Sequence, residues 1–490
     1  MKNYKLLIIS NLLATVAFAQ KPNWQNLDLK ADSTFGISTE KAYTDLLKGK
    51  KSKTVIVAVI DAGVDTGHED LKAVLWNNPK KDKRNDLHGW GFIGGAKGNV
   101  RYDNLELTRQ VRQAKDTGSA LYHKEKAELA GKLAEDQNII KGITGFKKVL
   151  DEMTQKIGKD NPAAADFEAY APQNNSEAHV KTVVLANLKG QDFKTFETED
   201  IDKALEHYKA ETDYQLNIAY DPRPIVGDDY FNSNQRDYGN NDVMGPHAEH
   251  GTHVSGIIAA VRDNNIGIKG VADNVRIMAI RTVPEGDERD KDVANAIRYA
   301  ADHGAKVINM SFGKAYSQDK TAVDDAVKYA LKKDVLLVQA AGNDNKDIDS
   351  AANFPNRNYA GGGQAGAWIV VGASGWKDDE TLKALFSNYG KFAVDVFAPG
   401  EQIYSTIPGS KYAAFDGTSM ACPVVAGLAA LIREYYPRLK AAQVKDIIMQ
   451  SVVKVAHPVK LGKASVPFTG LCQTGGIVNA YNALQLAAAY

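Results

Sequence analysis

Short apolar runs alternate along this chain with amphipathic stretches, and that alternation organises most of it. Val55-Ile56-Val57-Ala58-Val59-Ile60 is an unbroken apolar run with a β-branched majority, the pattern of a strand buried on both faces in a parallel sheet. After residue 221 the pattern repeats. Val275–Arg281 reads as a strand, Val293–His303 as a helix closed by Gly304, and Val307–Met310 as a strand. Ala322–Lys332 follows as a helix and Val335–Ala340 as a strand. Trp368–Gly372 and Val394–Ala398 add two further strands. The apolar run Val424–Ile432 predicts a buried helix, Ala441–Val453 another segment, and Thr474–Ala480 leads into a short closing helix. Strands alternating with helices in this way predict a parallel α/β domain.

The pattern changes between Gly98 and Tyr220. That stretch is rich in Lys, Glu, Asp, Ala and Gln, several of them good helix formers. Phe146, Val149, Leu150, Met153 and Ile157 recur at helical spacing, as do Ile201, Ala204, Leu205 and Tyr208. Asn161-Pro162 and Pro172–Ser176 break the helices apart. The organisation expected is an α/β domain over residues 20–97 and 221–490, with a helical insertion over 98–220.

Composition narrows the function classes. Lys and Arg total 60, as do Asp and Glu, so the chain offers no net charge to nucleic acid or an acidic membrane surface. Lys2 and Lys5, the apolar Leu6–Val16 and Ala17-Phe18-Ala19 form a secretory signal pattern, with cleavage expected after Ala19. The apolar run is too short for a stable span, and the mature protein is expected outside the cytoplasm with no membrane span. In such a compartment Cys422 and Cys472 are free to form one disulfide. Alternatively Cys422 fills space as a small buried hydrophobe; only the Cα separation decides.

Three segments carry candidate chemistry. Asp61 ends the first strand in Asp61-Ala62-Gly63-Val64-Asp65, His250 opens His250-Gly251-Thr252-His253-Val254-Ser255-Gly256, and Ser419 lies in Gly417-Thr418-Ser419-Met420-Ala421-Cys422-Pro423. A serine hydroxyl is a poor nucleophile until a base takes its proton and a third group orients the base. His247, His250 and His253 also fall three apart with Glu249 among them, a spacing that permits a metal. No H-E-x-x-H is present, and no metal ligand is assigned.

At these three segments the chain resembles the subtilisin-like serine proteases, whose blocks are D-x-G-[VI]-D, H-G-T-H-V-x-G and G-T-S-M-A-x-P. The resemblance covers about residues 24–95 and 221–490 and leaves the insertion unmatched. It implies a three-layer subtilisin-like fold with a mostly parallel central sheet, the helical insertion lying between the catalytic Asp and His. It implies an exported serine endopeptidase acting on peptides or proteins, with Ser419 as nucleophile, His250 as base and Asp61 as its orienter. Asp65 is expected to support the following loop. Ala340-Ala341-Gly342-Asn343 resembles the family's A-A-G-N block, placing Asn343 with the Ser419 N–H in an oxyanion hole. Ser311-Phe312-Gly313 is expected to pair with substrate backbone, and Ala340, Ala341 and Gly342 to wall the first pocket. Asp344 would favour a basic side chain there.

No cofactor is expected for catalysis. Structural calcium, which many relatives use, finds candidate acidic clusters at Asp228-Asp229 and Asp344–Asp349, without EF-hand spacing. The family's chain between triad Asp and His is much shorter than the 189 residues here. The insertion is therefore placed to bind a partner or regulate access. Few residues separate Ala19 from the first strand, less than the family's folding-assisting propeptide needs. The alternative reading is a catalytically silent or gated domain that binds peptides.

Overall fold

The computed structural model describes residues 22–80 and 85–490, so the signal pattern lies outside the described residues. The described chain forms two compact units, Leu107–Tyr220 and the remainder.

The larger unit is built on a nine-stranded sheet. Its strands in chain order are β1 (Val55–Asp61), β2 (Gly89–Gly91), β3 (Val275–Arg281), β4 (Val307–Met310) and β5 (Leu336–Ala340). Then come β6 (Trp368–Ser374), β7 (Val396–Pro399), β8 (Val453–Lys454) and β9 (Gly476–Ile477). The spatial order is β8-β9-β7-β6-β5-β4-β1-β3-β2. Every pairing is parallel except β8 with β9. β1 lies between β3 and β4, in register Val57 with Ile277 and Val307.

Helices cover both faces, so the central strands bury both of theirs. Val57 and Val59 join one core with helix α1 (Glu249–Ala259), helix α4 (Thr418–Tyr435) and helix α5 (Ala441–Gln450). Ala58 and Ile60 point the other way, into a core with α2 (Asp290–Asp302) and α3 (Lys320–Lys332). Period-2 alternation divides β1 between the two cores. This three-layer arrangement answers the α/β expectation.

Element ends follow local chemistry. Asp319 caps α3 by accepting from the Ala322 N–H, which starts that helix before Ala322. Gly304 takes a left-handed conformation after α2. The expected strand at Val394–Ala398 begins at Val396, because Asp395 is fully buried and accepts from Arg357 and the Val370 N–H.

The smaller unit has its own core of Ile143, Leu150, Met153, Phe167, Val180, Val184, Phe193, Phe196 and Ile201. Its longest helix, Ala120–Ile157, is capped by Ser119 and stopped by left-handed Gly158. Leu150 and Met153 are fully buried, while Phe146, Val149 and Ile157 lie partly exposed along the same stripe. Residues 98–106 pack in the larger unit. There the Asp103 N–H donates to the Glu285 carbonyl, and the Asp103 carboxylate pairs with buried Arg289. Among the described residues no helix is long and apolar enough to cross a membrane.

Candidate active site

The carboxyl ends of parallel strands are where open α/β sheets bind ligands, and the candidate residues gather there. Asp61 is the last residue of β1, 2 % exposed. His250 is in the first turn of α1, and its Nδ1 lies 2.8 Å from Asp61 Oδ1. Gly251 permits that approach, since a Cβ there would collide with the Gly63 carbonyl oxygen. Asp61 Oδ1 also accepts the Ala62 N–H, while Oδ2 is buried without a hydrogen-bond partner. The carboxylate's charge is thus left for the imidazole to balance, and the contact makes Nδ1 the donor and leaves Nε2 without a proton in the neutral ring. Burial opposes a charge on His250. The Asp61 charge and hydrogen bond, with Glu249 adding to them, outweigh it and hold the pKa above the usual histidine value.

Ser419 is the second residue of α4. Pro423 lies four residues on and has no N–H to donate to the Ser419 carbonyl, as helix geometry otherwise requires. The Ser311 hydroxyl fills that role at 2.9 Å, and the Ser419 hydroxyl in turn donates to the Ser311 carbonyl at 3.1 Å. Behind them Asn309 Nδ2 donates to Ser311 Oγ, and the Cys422 thiol donates to Asn309 Oδ1. This relay ties the end of β4 to the start of α4.

Asn343 follows β5. Its Oδ1 accepts from the Thr418 N–H at 2.9 Å and the Thr418 hydroxyl at 2.8 Å, which assigns the amide orientation. Its Nδ2 is therefore the free donor, on an exposed residue beside the first turn of α4. The Ser419 N–H belongs to that first turn, where a helix start leaves N–H groups without an acceptor one turn back.

The expected pocket residues divide. Ser311, Phe312, Ala340 and Ala341 are buried, so the side chains of Ala340 and Ala341 belong to the cores. Gly313 and Gly342 reach the surface. A Cβ on Gly313 would lie 2.8 Å from Asn353 Oδ1, and Asn353 Nδ2 donates to the Ala341 carbonyl. Asn353 thus spans the two edges. Asp344 pairs with Lys346 at 3.7 Å, both well exposed.

Asp65 staples its loop, with Oδ1 accepting the Gly67 N–H and Oδ2 the Gly409 N–H. His247 pairs with Glu285, while buried His253 stacks on Phe415 and donates to the Ala413 carbonyl. Burial pushes the His253 pKa down to about 3, so it is uncharged. Among the described residues no three His, Cys, Asp or Glu side chains are placed to hold a metal ion. In each acidic cluster one carboxylate is already engaged. Asp228 is bracketed by Arg223 and Lys291, and Asp349 accepts the N–H groups of Phe392 and Ala393. Both cysteines are free and buried in different cores, and burial pushes the Cys422 thiol up to about 12.

Sequence reasoning passed over Thr418, Asn309, Asn353 and the role of Pro423. Only Thr418 and Pro423 had a local signal, their place in G-T-S-M-A-C-P. Asn309 bonds Ser311 two residues on as well as Cys422 across the fold, and Asn353 reaches the Ala341 carbonyl from a different loop.

The Subtilase family model matches residues 52–469. A thermophilic serine proteinase from Bacillus sp. (strain AK1) is 36% identical over 316 residues, covering 64% of this chain and 66% of that protein. Thermitase from Thermoactinomyces vulgaris is 39% identical over 237 residues, 48% of this chain and 75% of thermitase. Subtilisin DY from Bacillus licheniformis is 36% identical over 219 residues, 44% of this chain and 75% of that protein. The match to the strain AK1 proteinase thus spans just under two thirds of that protein's length. A solved structure described as proteases from Pseudoalteromonas arctica PAMC 21717 shares the fold, with TM-score 0.50 and 21% identity over 96% of this chain and 98% of that one. With three motif-bearing segments gathered at the carboxyl ends of the strands and a family match across both sides of the insertion, the chain belongs to the subtilase family of serine-type endopeptidases.

Proposed function

We propose that the protein is an exported serine endopeptidase in which Ser419 attacks the scissile carbonyl, His250 carries the proton and Asp61 holds His250. The observation that carries this reading is the 2.8 Å contact between His250 Nδ1 and the buried Asp61 carboxylate. It sets the imidazole tautomer, while at the start of α4 the Asn343 amide has its oxygen engaged by Thr418 and its Nδ2 left to donate.

The chemistry follows the family's triad logic. A substrate strand pairs with the Ser311–Gly313 edge, and its N–H competes for the Ser311 carbonyl that now accepts the Ser419 hydroxyl. The hydroxyl turns to His250, Ser419 Oγ bonds to the carbonyl carbon, and its proton passes to Nε2. The carbonyl π electrons move to oxygen, where Asn343 Nδ2 and the Ser419 N–H meet the developing charge. The tetrahedral species collapses, the C–N bond breaks, and His250 returns its proton to the leaving amine. Water then repeats the sequence on the acyl-enzyme. Asp61 stabilises the transient imidazolium and stays ionised. Subtilase catalysis needs no cofactor, and each step rests on the chain's own groups. Asn353 would close the first pocket with a neutral amide. The Leu107–Tyr220 unit would bind a partner or regulate access.

The test is labelling of purified protein with a fluorophosphonate probe beside Ser419→Ala, followed by casein digestion. Labelling and digestion that both vanish in the variant support the triad. Labelling without casein cleavage indicates a gated or narrowly specific enzyme. No labelling of a folded sample overturns the enzyme reading in favour of a peptide-binding domain.

A further inference from the structure

We propose that Asn388 is a positioning residue that holds the oxyanion donor Asn343 in place by binding the chain on both sides of it. The proposal rests on the oxyanion assignment made above.

Asn343 is exposed and lies on a loop after β5, where a side-chain amide would ordinarily swing. Thr418 grips its Oδ1, but that grip directs Nδ2 correctly only if the loop backbone is itself fixed. Asn388 supplies the fixing. It is 3 % exposed and comes from the loop after β6. Its Nδ2 donates to the Ala341 carbonyl at 2.9 Å. Its Oδ1 accepts the Asp344 N–H at 3.0 Å and the Lys346 N–H at 2.8 Å. One planar amide therefore spans the residues before and after Asn343 with three bonds, and its own N–H donates to the Gly342 carbonyl at 2.9 Å. The fit requires glycine at position 342, where φ is +100° and a Cβ would collide with Asn388 Nδ2.

The arrangement leaves Asn388 Nδ2 and Oδ1 committed to backbone, with Asn343 untouched between their attachment points. Asn388 thus contacts no reacting atom. Its effect on rate is routed through Asn343, because an oxyanion donor is effective only when preorganised at its site.

The experiment is a double-mutant cycle on the full chain, reading kcat and KM with a chromogenic peptide for wild type, Asn388→Ala, Asn343→Ala and the double variant. Thermal midpoints are recorded in parallel. Asn388→Ser, whose hydroxyl cannot reach both flanks at once, repeats the cycle where the alanine variant folds poorly. The backbone bond to Gly342 survives in every variant. Loss of such a donor costs about 10²–10³ in kcat, a range measured on subtilisin and carried over to this relative. The expected result is a kcat loss of about tenfold or more for Asn388→Ala, within that ceiling, with KM changed less than about twofold. In the Asn343→Ala background the same substitution should change kcat by less than about twofold, because the residue it positions is gone. Equal losses in both backgrounds would overturn the proposal and leave Asn388 a merely structural residue. Failure of the oxyanion assignment itself looks different: Asn343→Ala alone would then leave kcat nearly intact.

Discussion

Replacing Asp61 by Asn keeps the shape of the site and removes its charge. Asp61 Oδ1 lies 2.8 Å from His250 Nδ1, and the carboxylate is 2 % exposed. As His250 becomes cationic in the transition state, the charges face each other about 4 Å apart centre to centre. At an effective dielectric of about 20 that is worth about 4 kcal/mol. A loss of that size lowers kcat about a thousandfold. The Ala62 N–H donates to the same Oδ1, so the amide oxygen keeps that place facing the imidazole and the N–H₂ falls at the buried, unpartnered Oδ2 position. A second readout is the pH profile. His250 must be neutral to act as base, so activity rises with pH through its pKa, held above the usual histidine value. Without the Asp61 charge the cation is less favoured, its pKa falls, and the acid limb of kcat/KM moves to lower pH. The assay is peptide hydrolysis from about pH 5 to 9 with wild type and Asp61→Asn. A variant within tenfold of wild type whose acid limb stays in place would refute the reasoning.

Gly251→Ala should drive α1 away from β1, because its Cβ would collide with the Gly63 carbonyl oxygen. We expect kcat to fall at least about tenfold with an altered pH profile, measured on the same peptide. Both thiols should resist an aromatic disulfide reagent in the native protein and react once it is unfolded, since Cys422 and Cys472 are free and buried. Leu150→Ala empties a fully buried position in the smaller unit's core and should cost about 2–5 kcal/mol, read by denaturant unfolding of the full chain.

The strands were legible because both their faces are apolar. Val55–Ile60 alternates between two cores because helices cover both sides, and an unbroken apolar run implies that arrangement. Strand ends were less so. Asp395 interrupts an apolar run by pairing with Arg357, 38 residues away, and nothing local predicts that. The insertion's helices were legible in their 3.6-residue stripe. Where the smaller unit begins was not, because Asp103 is drawn to Arg289 across 186 residues.

For the site, the order and local surroundings of Asp61, His250 and Ser419 stand in the sequence itself, but the start of the helix that carries His250, at Glu249, does not. What only the tertiary structure decided is how those groups are aimed. The Asp61–His250 contact crosses 189 residues, Thr418 orients the Asn343 amide from 75 residues away, and Ser311 accepts and donates across 108 to Ser419. The calcium clusters show the same limit from the other side. Two of the carboxylates crowded in sequence, Asp228 and Asp349, are in space already partnered, the first by arginine and lysine and the second by backbone N–H groups. A motif records which groups are available, because it follows local backbone geometry. Orientation depends on partners brought close by sheet register and helix packing, and those contacts exist only once the chain has folded.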